Sequence, residues 1–317
     1  MPLPEGARVE RAAWLRLALT PGIGPAATRD LLAAFGLPEE VLAAGSEARA
    51  RVVGAPLARA IAARDPERER AIEAALEWAS AEHHHLVSLA DPLYPKPLLQ
   101  IGDPPPLLYV AGDPRVLSLP ALAMVGSRSA SATGAETAEA FAAALAATGL
   151  AIVSGLALGI DAASHRGALR SGGATVAVLG TGADRVYPAG NRELARAIVA
   201  RGGALVSELP LGTGVRRDHF PRRNRLIAGL SLGVLVVEAA LRSGSLGTAR
   251  QAGEFGREVF AIPGSIHSPL AKGCHLLIKQ GARLVESASD VLDELAPAAA
   301  PGKPTGAAPG AAPGAAP

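Results

Sequence analysis

The chain has 317 residues, enough for a full core and two domains. It is 49% hydrophobic and 19% charged, with a net charge of +2 from 31 Lys and Arg against 29 Asp and Glu, so no overall field draws polyanions to every face and any such site is a local concentration. Cys274 is the only cysteine, which excludes an internal disulfide and fits a reducing compartment. The N-terminal MPLPEGARVERAAW lacks a signal-peptide core, and no run reaches the roughly 18 apolar residues of a bilayer span, so a cytoplasmic chain without membrane contact is expected.

Residues 1–85 are expected to form a helical domain, because apolar residues recur there at helical spacing. Two helical patterns flank Pro21-Gly22-Ile23-Gly24-Pro25, the outline of a helix-hairpin-helix. Glycine there permits a tight turn with open amide N–H groups; this reading leaves open whether the hairpin grips phosphates or only connects helices. A further helix is expected to run through DPERERAIEAALEWASAEHHH. His83, His84 and His85 are read as exposed residues at its end, since three consecutive side chains diverge and rarely meet one metal ion.

Residues 86–295 change texture. The Pro-rich DPLYPKPLLQIGDPPPLLYVAGDP is expected to be extended or turning. Beyond it about seven short apolar runs, ALAMVG, LAIVSG, TVAVLG, GALVSE, GVLVVEA, EVFAIPG and ARLVES, alternate with helical patterns such as TGAETAEAFAAALAATG. Strands apolar on both faces belong to a parallel sheet, and the alternation predicts an α/β fold with a Rossmann-like, doubly wound, mostly parallel sheet. The Ala/Pro/Gly tract 296–317 is expected to be disordered or a linker.

In such a sheet ligands bind outside the carboxyl ends of the strands. Five of those ends, at VGSRSASATG, SGLALGIDAASH, LGTGADRVYPAGN, SELPLGTGVRRDHFPRRN and EAALRSGSLGTAR, are rich in Gly, Ser and Thr. Small residues let a phosphate approach the backbone. Arg128 after Gly126-Ser127 sets a cation at one edge, and pairing with phosphate is favoured over pairing with a neighbouring acid. The segment Arg216 to Arg225 gathers five Arg against Asp218, directly before an apolar stretch from Leu226 to Leu230 read as a helix started near Asn224.

Other chemistries fit less well. No G-x-G-x-x-G follows the first strand, because Arg128 takes the second Gly position, and no P-loop occurs, so no nucleotide cofactor is expected. Asp161 and His165 share a helix face near Ser154, but SGLALG is not a nucleophile elbow, and Asp161 is read as a helix cap. Tyr187 is read as packing or as a base-stacking platform.

Taken together, VGSR, SGLALGIDAASHRGAL, TVAVLGTGADRVYPAGN, FPRRNRLIAGLS, VVEAALRSGSLGTARQAGEFGREVFAIPG and KGCHLLIKQGARLV resemble the DprA/Smf family of DNA-processing proteins, from about Asp91 to Leu295. The resemblance implies a homodimer, not an enzyme, that binds single-stranded DNA taken up in natural transformation, shields it and helps load the recombinase RecA. It carries the family's Gly-Ser-Arg motif onto Gly126, Ser127 and Arg128, and its F-P-x-R-N-R motif onto Phe220, Pro221, Arg223, Asn224 and Arg225. The expected DNA pocket adds Ser154, Gly155, Gly180, Arg192, Ser243, Gly244 and Ser245. The expected dimer-forming segment includes His275, Ile278 and Leu284. Leu158 and Ala189 stand where members often carry Lys, so either a phosphate contact is missing or Arg185 or Arg192 supplies the charge. Some members continue into a winged-helix domain; this sequence ends in the Ala/Pro/Gly tract, so that domain is expected to be either absent or cut away. The runner-up resemblance is to nucleoside monophosphate phosphoribohydrolases of the LOG type, whose catalytic Glu position holds Gln251 here; an amide cannot act as a general base.

Overall fold

The computed structural model describes residues 5–299, with side chains through Leu295. Six helices come first: α1 (Glu5–Ala18), α2 (Pro25–Phe35), α3 (Pro38–Ala43), α4 (Ser46–Val53), α5 (Ala55–Ala62) and α6 (Pro66–Trp78). Leu17, Ile23, Leu31, Val41 and Ile61 form their own small core. Helices α1 and α2 flank the expected hairpin, and Gly22 takes φ +83 there, which L side chains rarely adopt. Asp65 caps α6, its carboxylate accepting from the Glu67 and Arg68 amides.

Helix α6 ends at Trp78 rather than running through the histidines. His84 and His85 instead open strand β1 (His84–Ser88), so the sheet domain begins two residues before the expected boundary at 86. The ladder His84↔Ala111 and the His84 ring stacked on Trp78 at 4.2 Å draw the chain into the sheet. Strand β2 (Leu107–Gly112) lies inside the segment read as irregular, buried throughout and paired antiparallel to β1.

The seven expected strands all form: β3 (Ala121–Val125), β4 (Ala151–Ser154), β5 (Thr175–Val178), β6 (Ala204–Ser207), β7 (Gly233–Val236), β8 (Glu258–Ala261) and β9 (Arg283–Leu284). Between and after them come α7 (Ala132–Ala147), α8 (Ile160–Arg170), α9 (Arg192–Ala200), α10 (His219–Gly229), α11 (Ser245–Glu254), α12 (Lys272–Lys279) and α13 (Ala288–Ala299). The nine strands form one sheet in the order β1-β2-β6-β5-β4-β3-β7-β8-β9. β3 through β9 pair in parallel, and β2 joins β6 antiparallel.

Strand alternation divides the core between the two faces. Ala121, Ala123 and Val125 pack with Leu226, Ile227, Leu246 and Leu277 of α10, α11 and α12. Leu122 and Met124 pack with Ala138, Phe141, Leu145 and Ile160 of α7 and α8. A third cluster joins Trp14, Leu15, Ile72 and Leu76 of the helical domain to Leu86, Leu107 and Tyr109 of β1 and β2. Helix α13 continues to Ala299, past the start of the expected tail; the rest of that tail, 300–317, lies outside the described residues.

The strand order reverses at β3, with β4 on one side and β7 on the other. The loops after β3 and β7 therefore part and leave a crevice, the place where doubly wound sheets hold ligands.

Candidate nucleic-acid interface

A cleft of about 1190 Å³ opens at that reversal. One wall is the loop Gly126–Ser129 after β3. Its shape is fixed from β7: Ser127 N donates to Glu238 O at 2.7 Å, and the Glu238 carboxylate accepts from Ser131 N at 2.9 Å and Ser131 Oγ at 2.6 Å. Gly126 is required by close approach, since a Cβ there would lie 2.6 Å from Ile160 Cγ1 and 2.8 Å from Glu238 O. The opposite wall is Ala240 to Gln251, where Ser243 and Gly244 lead into the amino end of α11 and the Ser243 and Ser245 hydroxyls bond at 2.7 Å. Open amides at a helix start favour an anion.

Helix α10 supplies the floor. It starts at His219, five residues before the expected Asn224, because Pro221 in the first turn needs no amide partner. With about 100° per residue, Arg223 and Arg225 point to opposite sides. Arg223 turns into the cleft: it is buried, donates to Gly155 O at 2.7 Å and to Val178 O, and donates through Nε to Asn224 Oδ1 at 3.1 Å. A Cβ at Gly155 would overlap its guanidinium. Burial brings the Arg223 pKa down to about 10 against the pull of Asp161, so it stays charged at neutral pH. Burial likewise raises the Asp161 carboxyl, opposed by Arg223 and by the Ala157 and Gly155 amides it accepts from. The Asp161 side chain thus bonds the loop just before α8. His165, one turn on, is fully buried against Thr175 at 2.7 Å and does not face the cleft.

Aromatic rings complete the cleft. The Arg128 guanidinium sits 5.2 Å from the Phe220 ring centre, and the Tyr187 ring lies 6.0 Å from that of Phe220 in the same lining. Five arginines line the cleft, Arg128, Arg217, Arg223, Arg242 and Arg250, against Asp161 and Glu254. Among the described residues, none of the five makes an ion pair.

The structure brings together Gly126, Ser127, Arg128, Phe220, Arg223, Asn224, Ser243, Gly244 and Ser245. Five expected residues stand elsewhere. Ser154 is buried, its hydroxyl donating to Met124 O at 2.6 Å. Gly155 and Gly180 act from behind, leaving room for Arg223 and for the Phe220 ring. Arg192 lines a neighbouring cleft together with Arg185. Arg225 faces away: its guanidinium meets Glu208 at 2.5 Å and Asp103 at 3.1 Å, and Arg222 meets Glu208 at 3.1 Å. Arg217, Arg242 and Arg250 were absent from the expected pocket, although EAALRSGSLGTAR contains the last two. In the segment expected to form a dimer, Leu284 is 50% exposed on edge strand β9. Ile278 packs partly on the core, and His275 Nε2 lies 3.0 Å from Gly264 O.

Comparison with known proteins agrees over most of the chain. Residues 85–296 match the family model for DNA recombination-mediator protein A, and residues 8–74 match that for the DprA-like N-terminal HHH domain. Protein Smf of Escherichia coli is 48% identical over 226 residues, covering 71% of this chain and 60% of that protein. DNA processing protein DprA of Streptococcus pneumoniae is 49% identical over 207 residues, 65% of this chain and 73% of that one. The X-ray structure of the pneumococcal DprA superposes with a TM-score of 0.70 at 38% identity, covering 89% of this chain and 95% of that one. DNA processing protein A of Helicobacter pylori, whose structure concerns its single-stranded DNA binding mode, gives 0.60 at 28% identity over 68% and 98%. The two family models together match most of the chain, from the hairpin-bearing helices through the sheet: the chain belongs to the DNA recombination-mediator protein A family.

Proposed function

We propose that the chain binds single-stranded DNA in the switch-point cleft and acts as a recombination mediator in natural transformation, shielding incoming strands and helping to load RecA. The observation that carries this reading is the convergence of five arginines without carboxylate partners on one cleft lined by small residues. A sugar–phosphate backbone neutralises such a set, and Phe220 and Tyr187 offer ring faces to a base. The single-stranded DNA binding mode described for the Helicobacter pylori relative supports the same ligand. The chain works in the cytoplasm as a homodimer, joined through the segment containing His275, Ile278 and Leu284. It binds rather than cleaves: Gln251 lines the cleft where the LOG-type resemblance needs a Glu, and Asp161 already accepts two backbone amides.

Titration of oligothymidine at several salt concentrations tests the reading. Arg128→Ala is expected to weaken binding about tenfold and to reduce the salt slope by about 0.7, the share of one phosphate contact on a single strand. An unchanged dissociation constant overturns the site. Release of free base from nucleoside monophosphates incubated with the protein overturns the non-enzymatic reading.

A further inference from the structure

A second cleft, of about 870 Å³, adjoins the first across Tyr187 and Val215, which line both. Those two side chains are 46% and 49% exposed, an uncovered apolar ridge between two concavities. The interior of the second cleft is apolar and aromatic. The Trp78 indole and the His84 imidazole stack with 12° between their planes, and Val186, Ala195 and Leu205 fill the walls. Arg185, Arg192 and Arg196 line it against one carboxylate, Asp184. That carboxylate is already engaged, accepting from Gly212 N at 2.9 and 3.0 Å and lying 3.9 Å from Arg185 Nε. Among the described residues Arg196 pairs only with Glu193 on the same exposed helix face, a partner that a phosphate displaces at little cost.

An aromatic, apolar hollow ringed by guanidinium groups fits a nucleobase inside and its phosphates outside. An aliphatic protein segment would have no use for the cations. The shared Tyr187 ridge makes the hollow continuous with the cleft where the strand is seated. We propose that this second cleft holds the next nucleotides of the same single strand, a base against the Trp78–His84 stack and backbone phosphates on Arg185 and Arg196. The proposal rests on the first cleft being a single-stranded DNA site. It gives the helical domain a part in DNA binding through the end of α6.

Oligomer length separates the two clefts. In the double variant Arg185→Glu/Arg196→Glu, both positions being exposed, an oligothymidine of about 16 nucleotides is expected to bind about tenfold more weakly, while one of about 4 nucleotides changes less than about twofold. Trp14 is 1% exposed, so a change in tryptophan fluorescence on binding reports Trp78; it is expected with the long oligomer and not with the short one. Equal weakening at both lengths, or at neither, overturns the second subsite and leaves the first standing. A wild-type chain that binds neither oligomer overturns both.

Discussion

On one side of α10, Arg223 reaches into a cleft whose five arginines make no ion pair among the described residues. On the other side, Arg222 and Arg225 close on Glu208, with Asp103 behind them, in a crevice of about 610 Å³ that the hairpin residues Gly22, Ile23 and Gly24 also line. The two regions hold the same residue type on the same helix, yet only the first has charge to spare. In the second, two guanidinium groups meet two carboxylates, and the hairpin faces this neutral crevice. Pairing, rather than the number of arginines, decides where an anion is welcome.

The contrast can be broken from the structural side first. Glu208→Ala leaves the Arg225 cation buried with Asp103 alone, and is expected to destabilise the chain by about 3 kcal/mol in chemical denaturation, the low end for a broken buried pair. Oligothymidine affinity of the folded fraction should stay unchanged; a large loss would show that the paired side also meets DNA. Gly155→Ala presses a methyl on the Arg223 guanidinium and is expected to destabilise by about 1–3 kcal/mol while weakening oligothymidine binding several-fold. Normal binding in mobility-shift titrations would remove Arg223 from the cleft's working set.

Stability also depends on pH through one buried histidine. His165 is fully buried; Thr175 Oγ1 donates to Ile152 O at 2.7 Å, so Nδ1–H donates to Thr175 and Nε2 is left without a partner. Burial depresses its pKa to about 3 from an ordinary 6.5. Below pH 6.5 the unfolded chain takes up a proton that the folded chain refuses, so stability is full above that pH and falls toward pH 3. The fall is at most about 1.4 kcal/mol per pH unit. His165→Gln is expected to remove this part of the slope in denaturation curves at pH 7, 6 and 5; parallel slopes would contradict it. The smallest effect is expected on the paired side: Arg222→Ala should change stability by less than about 1 kcal/mol and oligothymidine affinity by less than about twofold.

How much of this was legible in the sequence depends on what each residue's signal recorded. The seven parallel strands announced themselves as apolar runs, because strands buried on both faces need no polar residues. Strands β1 and β2 stayed hidden, one opening with two histidines and the other framed by prolines that mark turns at its ends. The cleft was legible as strand-end Gly and Ser and as Arg128. The directions of Arg223 and Arg225 were not, because the helix start at His219 sets them and Pro221 masked it. Arg242 and Arg250 stand in EAALRSGSLGTAR itself, among the small residues that marked the strand end.

Strands β1 and β2 belong to the sheet by their ladders and to the helices by their packing, since Leu86, Leu107 and Tyr109 lie under Trp14, Ile72 and Leu76. The two family-defined parts therefore share one cooperative unit at this edge. Peeling the helices away strips apolar cover from β1 and β2, so hydrogen exchange in these strands should track the opening of the helical bundle rather than that of β3, β4 and β7 at the sheet's centre.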